Sequence, residues 1–265
     1  MTPLKPNSGP FAMVQAFRSI SALIMREMAT SYGKSSIGYL WAILEPVGGI
    51  FVLTVAFSLV MRSPALGESF PLFYATGMLP FSAYNAMQNK LSGAVMQNRP
   101  LLFYPRVTYM DAIISRLILT LVTQLMVFIV VFTGILAFEN LNQHIDVVRI
   151  LTAFLVTAFL GLGIGTLNSV LIYLFPSWQQ VWSIVTRPLF LASCIFYLFD
   201  TLPEFAQDIL WFNPLVHVIG LTREGFYATY RADYVVLAYP LAVGGFALFA
   251  GLVLLKRYAL DMINE

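Results

Sequence analysis

ILTAFLVTAFLGLGIGTLNSVLIYLFPSWQQVWSIVT, residues 150–186, runs for 37 positions without a charged side chain. A helix rises about 1.5 Å per residue, so roughly 20 apolar residues cross a hydrocarbon core of about 30 Å. The part up to Phe175 suffices for one tilted span before Pro176 breaks the run. Residues 117–138 and 234–255 are further charge-free intervals of 22 residues each. A soluble core of this size would show polar faces at helical or strand period, and whole windows here lack them. Charged residues make up 11% of the chain and hydrophobic residues 59%, where soluble proteins carry about 25% charge. The pattern predicts an all-α polytopic membrane protein.

Several chemistries are excluded. The one cysteine, Cys194, provides neither a disulfide framework nor a thiolate metal cluster. His144 and His217 have no HExxH pattern, no paired histidine and no close Asp/Cys set, so no metal or proton-transfer site is expected. No glycine-rich loop ending in GK[ST] occurs, so this chain does not itself supply ATP binding of that kind. The opening MTPLKPNSGPF has no early hydrophobic core, which argues against a cleaved signal peptide.

In chain order, residues 1–10 read as a flexible tail. Residues 11–30 read as an amphipathic interface helix, with Val14, Phe17, Ile20, Ile24 and Met28 on one face and Gln15, Arg18, Ser19 and Arg26 on the other. It is either an ordinary membrane-proximal helix or one that also borders a peripheral subunit. A membrane domain over residues 31–258 holds six expected spans, at about 37–60, 71–94, 113–138, 150–175, 181–199 and 235–255, and residues 259–265 form a tail. Gly77, Pro80, Asn85 and Gln88 make the second span polar and irregular, so it should face neighbours or a cavity rather than lipid. Residues 200–233 contain a short apolar section split by Asn213 and Pro214, too short to span and too hydrophobic for water. A re-entrant segment between spans 5 and 6 is expected there, with an interfacial helix as the alternative.

With both termini cytoplasmic, that side holds Lys5, Arg18, Arg26, Lys34, Lys90, Arg99, Arg106, Arg116, Arg187, Lys256 and Arg257. Arg62, Arg149, Arg223 and Arg231 fall on the other. The bias follows the positive-inside rule.

Polar and aromatic residues near the spans are the candidate functional groups. Glu45 is a carboxylate inside an apolar run, which either locks adjacent helices or lines a conduit. Arg187 can snorkel to headgroups or pair with another span. Gly161 and Gly165 form a GxxxG that permits close helix packing without naming the partner. Tyr39, Trp41, Trp178 and Trp182 fit interface anchors, and such rings can also stack on the apolar faces of sugars.

SYGKSSIGYLWAILEP at 31–46, the Pro- and Arg-containing connection at 97–116, and NPLVHVIGLTREGFY at 213–227 together resemble the membrane subunits of type-2 ABC exporters, in their capsular-polysaccharide branch. The resemblance implies a non-enzymatic permease of the bacterial inner membrane, moving lipid-linked capsular polysaccharide from cytoplasm to periplasm. Two copies would form the conduit and join two separate ABC ATPase subunits that hold ATP and Mg. This chain itself would bind no cofactor, metal or nucleic acid. A periplasmic co-polymerase and an outer-membrane polysaccharide exporter are implied further partners. On this chain the resemblance places conduit candidates at Tyr39, Trp41, Glu45, Trp178 and Trp182. It places outer-gate candidates at Asn213, Pro214, Val216, His217 and Arg223, and ATPase-coupling candidates at Arg18, Arg26, Arg99 and Arg106. An O-antigen or teichoic-acid exporter would use much the same machine, while an enzyme acting on a lipid-linked sugar would need acids or bases gathered at one membrane face.

Overall fold

The computed structural model describes residues 10–31, 38–102, 107–139 and 145–264. The expected tail, Arg106 and His144 lie outside them. Regular structure among the described residues is helical. Helix α1 (Pro10–Ser31) is followed by α2 (Gly38–Ser58) and α3 (Phe70–Ser92). Two single-turn helices, α4 (Ala94–Gln97) and α5 (Arg99–Leu102), lead to the long α6 (Tyr109–Phe138) and α7 (Val147–Leu174). Then come α8 (Trp178–Leu191), α9 (Glu204–Leu210), α10 (Pro214–Phe226) and α11 (Ala238–Asn264).

Local chemistry sets several of these boundaries. Ser69 accepts the Leu72 amide at 3.0 Å, and Pro71 follows in the first turn of α3, where its missing N–H costs nothing. At α6 a capping box closes the first turn: the Asp111 amide donates to the Thr108 hydroxyl at 3.2 Å and the Thr108 amide to the Asp111 carboxylate at 2.8 Å. Asp146 caps α7 by accepting the Arg149 amide at 3.1 Å.

Helix α7 is the centre of the bundle, packed most extensively on α11 and α3 and also on α10. Its glycines explain the close approach. Gly161 and Gly165 share one face against α3, where an added Cβ would come within 2.8 Å of Met87 Cβ and 2.9 Å of the Gln88 carbonyl oxygen. Gly163, two residues on and so on the opposite face, meets the backbone of Gly244 in α11. The GxxxG is thus spent inside the subunit, joining α7 to α3.

The expected count of six spans and a re-entrant segment is corrected. Among the described residues four helical segments are long and apolar enough to cross a membrane: Leu40–Ser58, Tyr109–Phe138, Val147–Leu174 and Ala238–Ala259. The expected second span is helix α3, but its polar residues leave it short of that hydropathy, and it is buried against α7 and α6. The expected fifth span does not form: α8 has 14 residues and ends at Leu191, ahead of an irregular turn in which Cys194 takes a left-handed φ of 58°. No clear re-entrant loop follows. The apolar section after Pro214 is a 13-residue helix buried by protein, packed on α7 and α3. Its hydrophobicity answers to a protein core, and a short apolar run reads alike for either environment.

Candidate functional site

A cleft of about 1020 Å³ opens beside α3, between it and α8, with Glu45 of α2 and Gln97 of α4 at its margins. Its walls carry Asn85, Gln88, Asn89 and Ser92 from α3 and Gln179, Trp182, Ser183, Thr186 and Arg187 from α8, with Phe81 and Phe190 supplying apolar surface. Two other grooves offer a contrast. One of about 280 Å³ between α2 and α6 is lined by Phe51, Val130 and Phe138, and one of about 370 Å³ between α6 and α7 by Phe132, Leu151 and Phe154. Those suit lipid chains; the large cleft alone of these three combines hydrogen-bonding groups with aromatic rings.

A hydrogen-bonded network builds its wall. Trp182 Nε1 donates to Gln88 Oε1 at 2.9 Å, and Asn168 Nδ2 of α7 reaches the same oxygen at 3.5 Å. Trp178 Nε1 donates to Asn168 Oδ1 at 2.9 Å, while Gln88 Nε2 donates to Asn89 Oδ1 at 2.8 Å. One helical turn apart on α8, the two indoles lie with centroids 6.3 Å apart and planes at 28°. This network spans α3, α7 and α8 and fixes the rings' orientation. Asn85 lines the same wall, and its Oδ1 is buried there without a hydrogen-bond partner.

The structure brings together Glu45 and Trp182 at the cleft, with Trp178 one step behind. Trp41 is exposed on α2 away from the cleft lining, and Tyr39 lies in the first turn of α2. Gln88 and Asn168 are the wall residues that the aromatic and charge patterns missed. The polarity of α3 was the available signal, but neutral amides in a helix do not announce which neighbour they face.

The residues around α10 form a separate, buried assembly. Asn213 caps the helix through the Leu215 amide at 3.0 Å and donates to Ala192 O and Ser193 Oγ, each at 3.0 Å. Pro214 occupies the first turn, and Val216 is fully buried beside Cys194 and Phe199. His217 Nδ1 accepts the Val236 amide at 3.2 Å, which leaves the proton on Nε2 for the Trp211 carbonyl at 2.9 Å. Burial pulls its pKa below the usual histidine value, so the ring is neutral. Arg223, with no exposed surface, donates to the Tyr197 carbonyl at 2.9 Å and the Ile195 carbonyl at 3.0 Å, its guanidinium 4.5 Å from the Phe73 ring centre.

Of the described coupling candidates, Arg26 and Arg99 come near each other at Asn98, and Arg18 lies two turns earlier on α1. Arg18 is exposed on α1, Arg99 opens α5, and Arg26 Nη1 donates to Asn98 Oδ1 at 3.3 Å. The C-terminal part of α11 joins them, since Leu255 and Met262 pack with Leu91, Val95, Leu102 and Ile113.

A helical membrane chain with a short two-turn connection and a polar central cleft invites comparison with transport subunits, and the ABC-2 type transporter family profile matches residues 18–227. This chain belongs to the ABC-2 type transporter family. It is 32% identical over 247 residues to the polysialic acid transport protein KpsM of Escherichia coli, covering 93% of this chain and 96% of that one. It is 25% identical over 242 residues to the capsule polysaccharide export inner-membrane protein CtrC of Neisseria meningitidis serogroup B, covering 91% of each. The same identity over 243 residues relates it to BexB of Haemophilus influenzae, a protein of the same description, again covering 91% of each. As an ABC-2 type transporter it is a transport subunit rather than an enzyme, and works within a multi-subunit ABC exporter. Its spanning helices and these inner-membrane relatives make it a multi-pass inner-membrane protein.

Proposed function

We propose that this chain is the permease subunit of an ATP-driven exporter carrying lipid-linked capsular polysaccharide from cytoplasm to periplasm, and that the cleft between α3 and α8 is its share of the conduit. The observation that carries this reading is the composition of that cleft. Amides and hydroxyls offer exchangeable hydrogen bonds to a sugar chain, and a fixed indole at Trp182 offers a stacking face. Such contacts are individually weak, which suits a polymer that must enter and leave. A second copy completes the passage, and two separate ABC ATPases bearing ATP and Mg drive it. The segment from Gln97 to Asp111, with Arg18, Arg26 and Arg99 near it, borders the ATPase. A periplasmic co-polymerase and an outer-membrane exporter receive the polymer.

Filling the cleft tests this. Ser183→Trp is expected to lower surface polysaccharide at least about tenfold at unchanged membrane abundance, since a barrier raised by about 1.4 kcal/mol already slows passage tenfold. Val122→Trp, at an exposed position on α6, serves as the control. Wild-type export by Ser183→Trp at matched protein levels removes the conduit assignment.

We infer the orientation from one end of the bundle. Arg26, Lys90, Arg99, Arg116, Lys256 and Arg257 gather where α1, the connection and the end of α11 meet, and the positive-inside rule puts that end in the cytoplasm. In a Cys194→Ser background, Asp261→Cys should react with a membrane-impermeant maleimide only after the membrane is opened, and Glu204→Cys in intact spheroplasts. The reverse pattern inverts the topology.

A further inference from the structure

We propose that Arg116 is a positioning residue that locks the interface helix, the connection and the cleft wall into one moving unit, so that displacement at the ATPase side reaches the conduit. The proposal rests on the exporter reading above, and adds to it the residue through which the motion passes.

Arg116 lies two turns into α6 with its side chain only 5% exposed, and it touches three other elements at once. Nη2 pairs with Glu27 of α1, 3.1 Å from Oε1 and 3.2 Å from Oε2, and Nε lies 3.4 Å from Oε2. The same Nη2 donates to Gln97 Oε1 of α4 at 2.6 Å, and Nη1 donates to the Lys90 carbonyl of α3 at 2.9 Å. The last four carbonyls of a helix have no partner within it, so a cation that takes one of them caps the helix and answers its dipole. A planar guanidinium with five donors can serve three directions together; a lysine ammonium cannot hold that fork.

These contacts meet the cleft directly. The turn of α3 whose carbonyl Arg116 holds also carries Gln88, Asn89 and Ser92, which line the cleft. A Cβ at Gly93, where α3 passes into α4, would lie 2.6 Å from Gln97 Nε2 and 3.4 Å from Arg116 Nη1, so a side chain there would displace the Gln97 amide. A parallel contact, Arg26 to Asn98, ties α1 to the connection again, and Asn98 holds the Ala94 carbonyl at 2.9 Å. Helix α4 and Asn98 therefore have little freedom to move without α1 and the end of α3.

The test reads movement at the cleft rather than export, so the identity of the cargo does not enter. In a Cys194→Ser background, Ser92→Cys reports on the wall, in the assembled complex with its ATPase, by its rate of maleimide labelling with and without ATP and vanadate. The parent should show a nucleotide-dependent change of at least about fivefold, the lower end of typical coupling between sites. Arg116→Gln and Glu27→Gln should each reduce it below about twofold while the complex still assembles and hydrolyses ATP, and the double variant should equal either single one, as for residues acting as a unit. Arg116→Lys should recover part of the change. Full nucleotide response in assembled Arg116→Gln or Glu27→Gln overturns the proposal, as does an additive double variant. Should Arg116→Gln fail to accumulate, Glu27→Gln decides, because it leaves the bonds to Lys90 and Gln97 in place. A parent without any nucleotide response overturns the ATP-driven reading and the latch with it, whereas a responsive parent that exports no polysaccharide overturns only the cargo.

Discussion

Gly163→Leu is expected to lower the amount of folded transporter in the membrane by about tenfold or more, because 1.4 kcal/mol is a factor of ten and overpacking a close contact typically costs about 1–3 kcal/mol. The neighbour is the main chain of α11: a Cβ on Gly163 runs into the Gly244 carbonyl oxygen, with the Gly244 carbonyl carbon at 2.9 Å. A flexible side chain could turn aside, whereas backbone can yield only if the two helices separate. Separation would undo the most extensive helix contact in the subunit. Even Gly163→Ala should be harmful. Gly134→Ala on α6, where nothing lies within 4 Å of the added carbon, should be tolerated and gain up to about 1 kcal/mol in helix propensity. Fluorescence-detected size exclusion and thermal unfolding of the purified variants measure both. Normal yield and melting of Gly163→Leu would mean that α7 and α11 do not meet at this point.

Arg223→Ala should be nearly as damaging. It strips the donors from the buried carbonyl of Ile195 and the half-buried one of Tyr197, the buried one at roughly 1–3 kcal/mol, and leaves a cavity beside Phe73. Those carbonyls belong to the turn that follows α8, where Cys194 has a left-handed backbone, so the arginine holds an otherwise irregular stretch onto α10. Arg223→Met refills most of the volume without restoring either hydrogen bond. It should therefore fall between wild type and Arg223→Ala in thermal stability, and the gap between the two variants measures the cavity. If Arg223→Met proves as stable as wild type, the cost of burying the charge matches what its hydrogen bonds return. The arginine would then be dispensable to the fold, and its retention would need a functional account.

The contrast between α7 and α10 shows where reading a sequence succeeds and where it stops. For α7 the uncharged run was long enough that only a membrane span could accommodate it, and the helix Val147–Leu174 occupies it. For α10, the short apolar section split by Asn213 and Pro214 was expected to form a re-entrant segment, and its actual form is a 13-residue helix packed on α7 and α3. Transfer into hydrocarbon and transfer into a protein core reward the same side chains, so hydropathy separates them only when length decides. The polar helix α3 was expected as a second span facing neighbours or a cavity; its amides leave it short of a span's hydropathy, and most of its surface is covered by protein.

Composition and the length of apolar runs by themselves determined that this is a helical membrane protein and that the stretches at about 37–60, 113–138, 150–175 and 235–255 are apolar enough to span, where the structure has helices over Leu40–Ser58, Tyr109–Phe138, Val147–Leu174 and Ala238–Ala259. They did so because lipid acts on each segment separately: a helix in hydrocarbon must satisfy its own backbone and present apolar side chains wherever its neighbours lie. Only the tertiary structure decided which residues share a site. Gln88 and Trp182 are 94 positions apart and meet at 2.9 Å, and Arg116 finds Glu27 across 89 positions. An amide or an arginine in isolation carries no mark of its partner, because the direction of a hydrogen bond is set by how α3, α6, α7 and α8 pack, and that packing is a property of the whole chain.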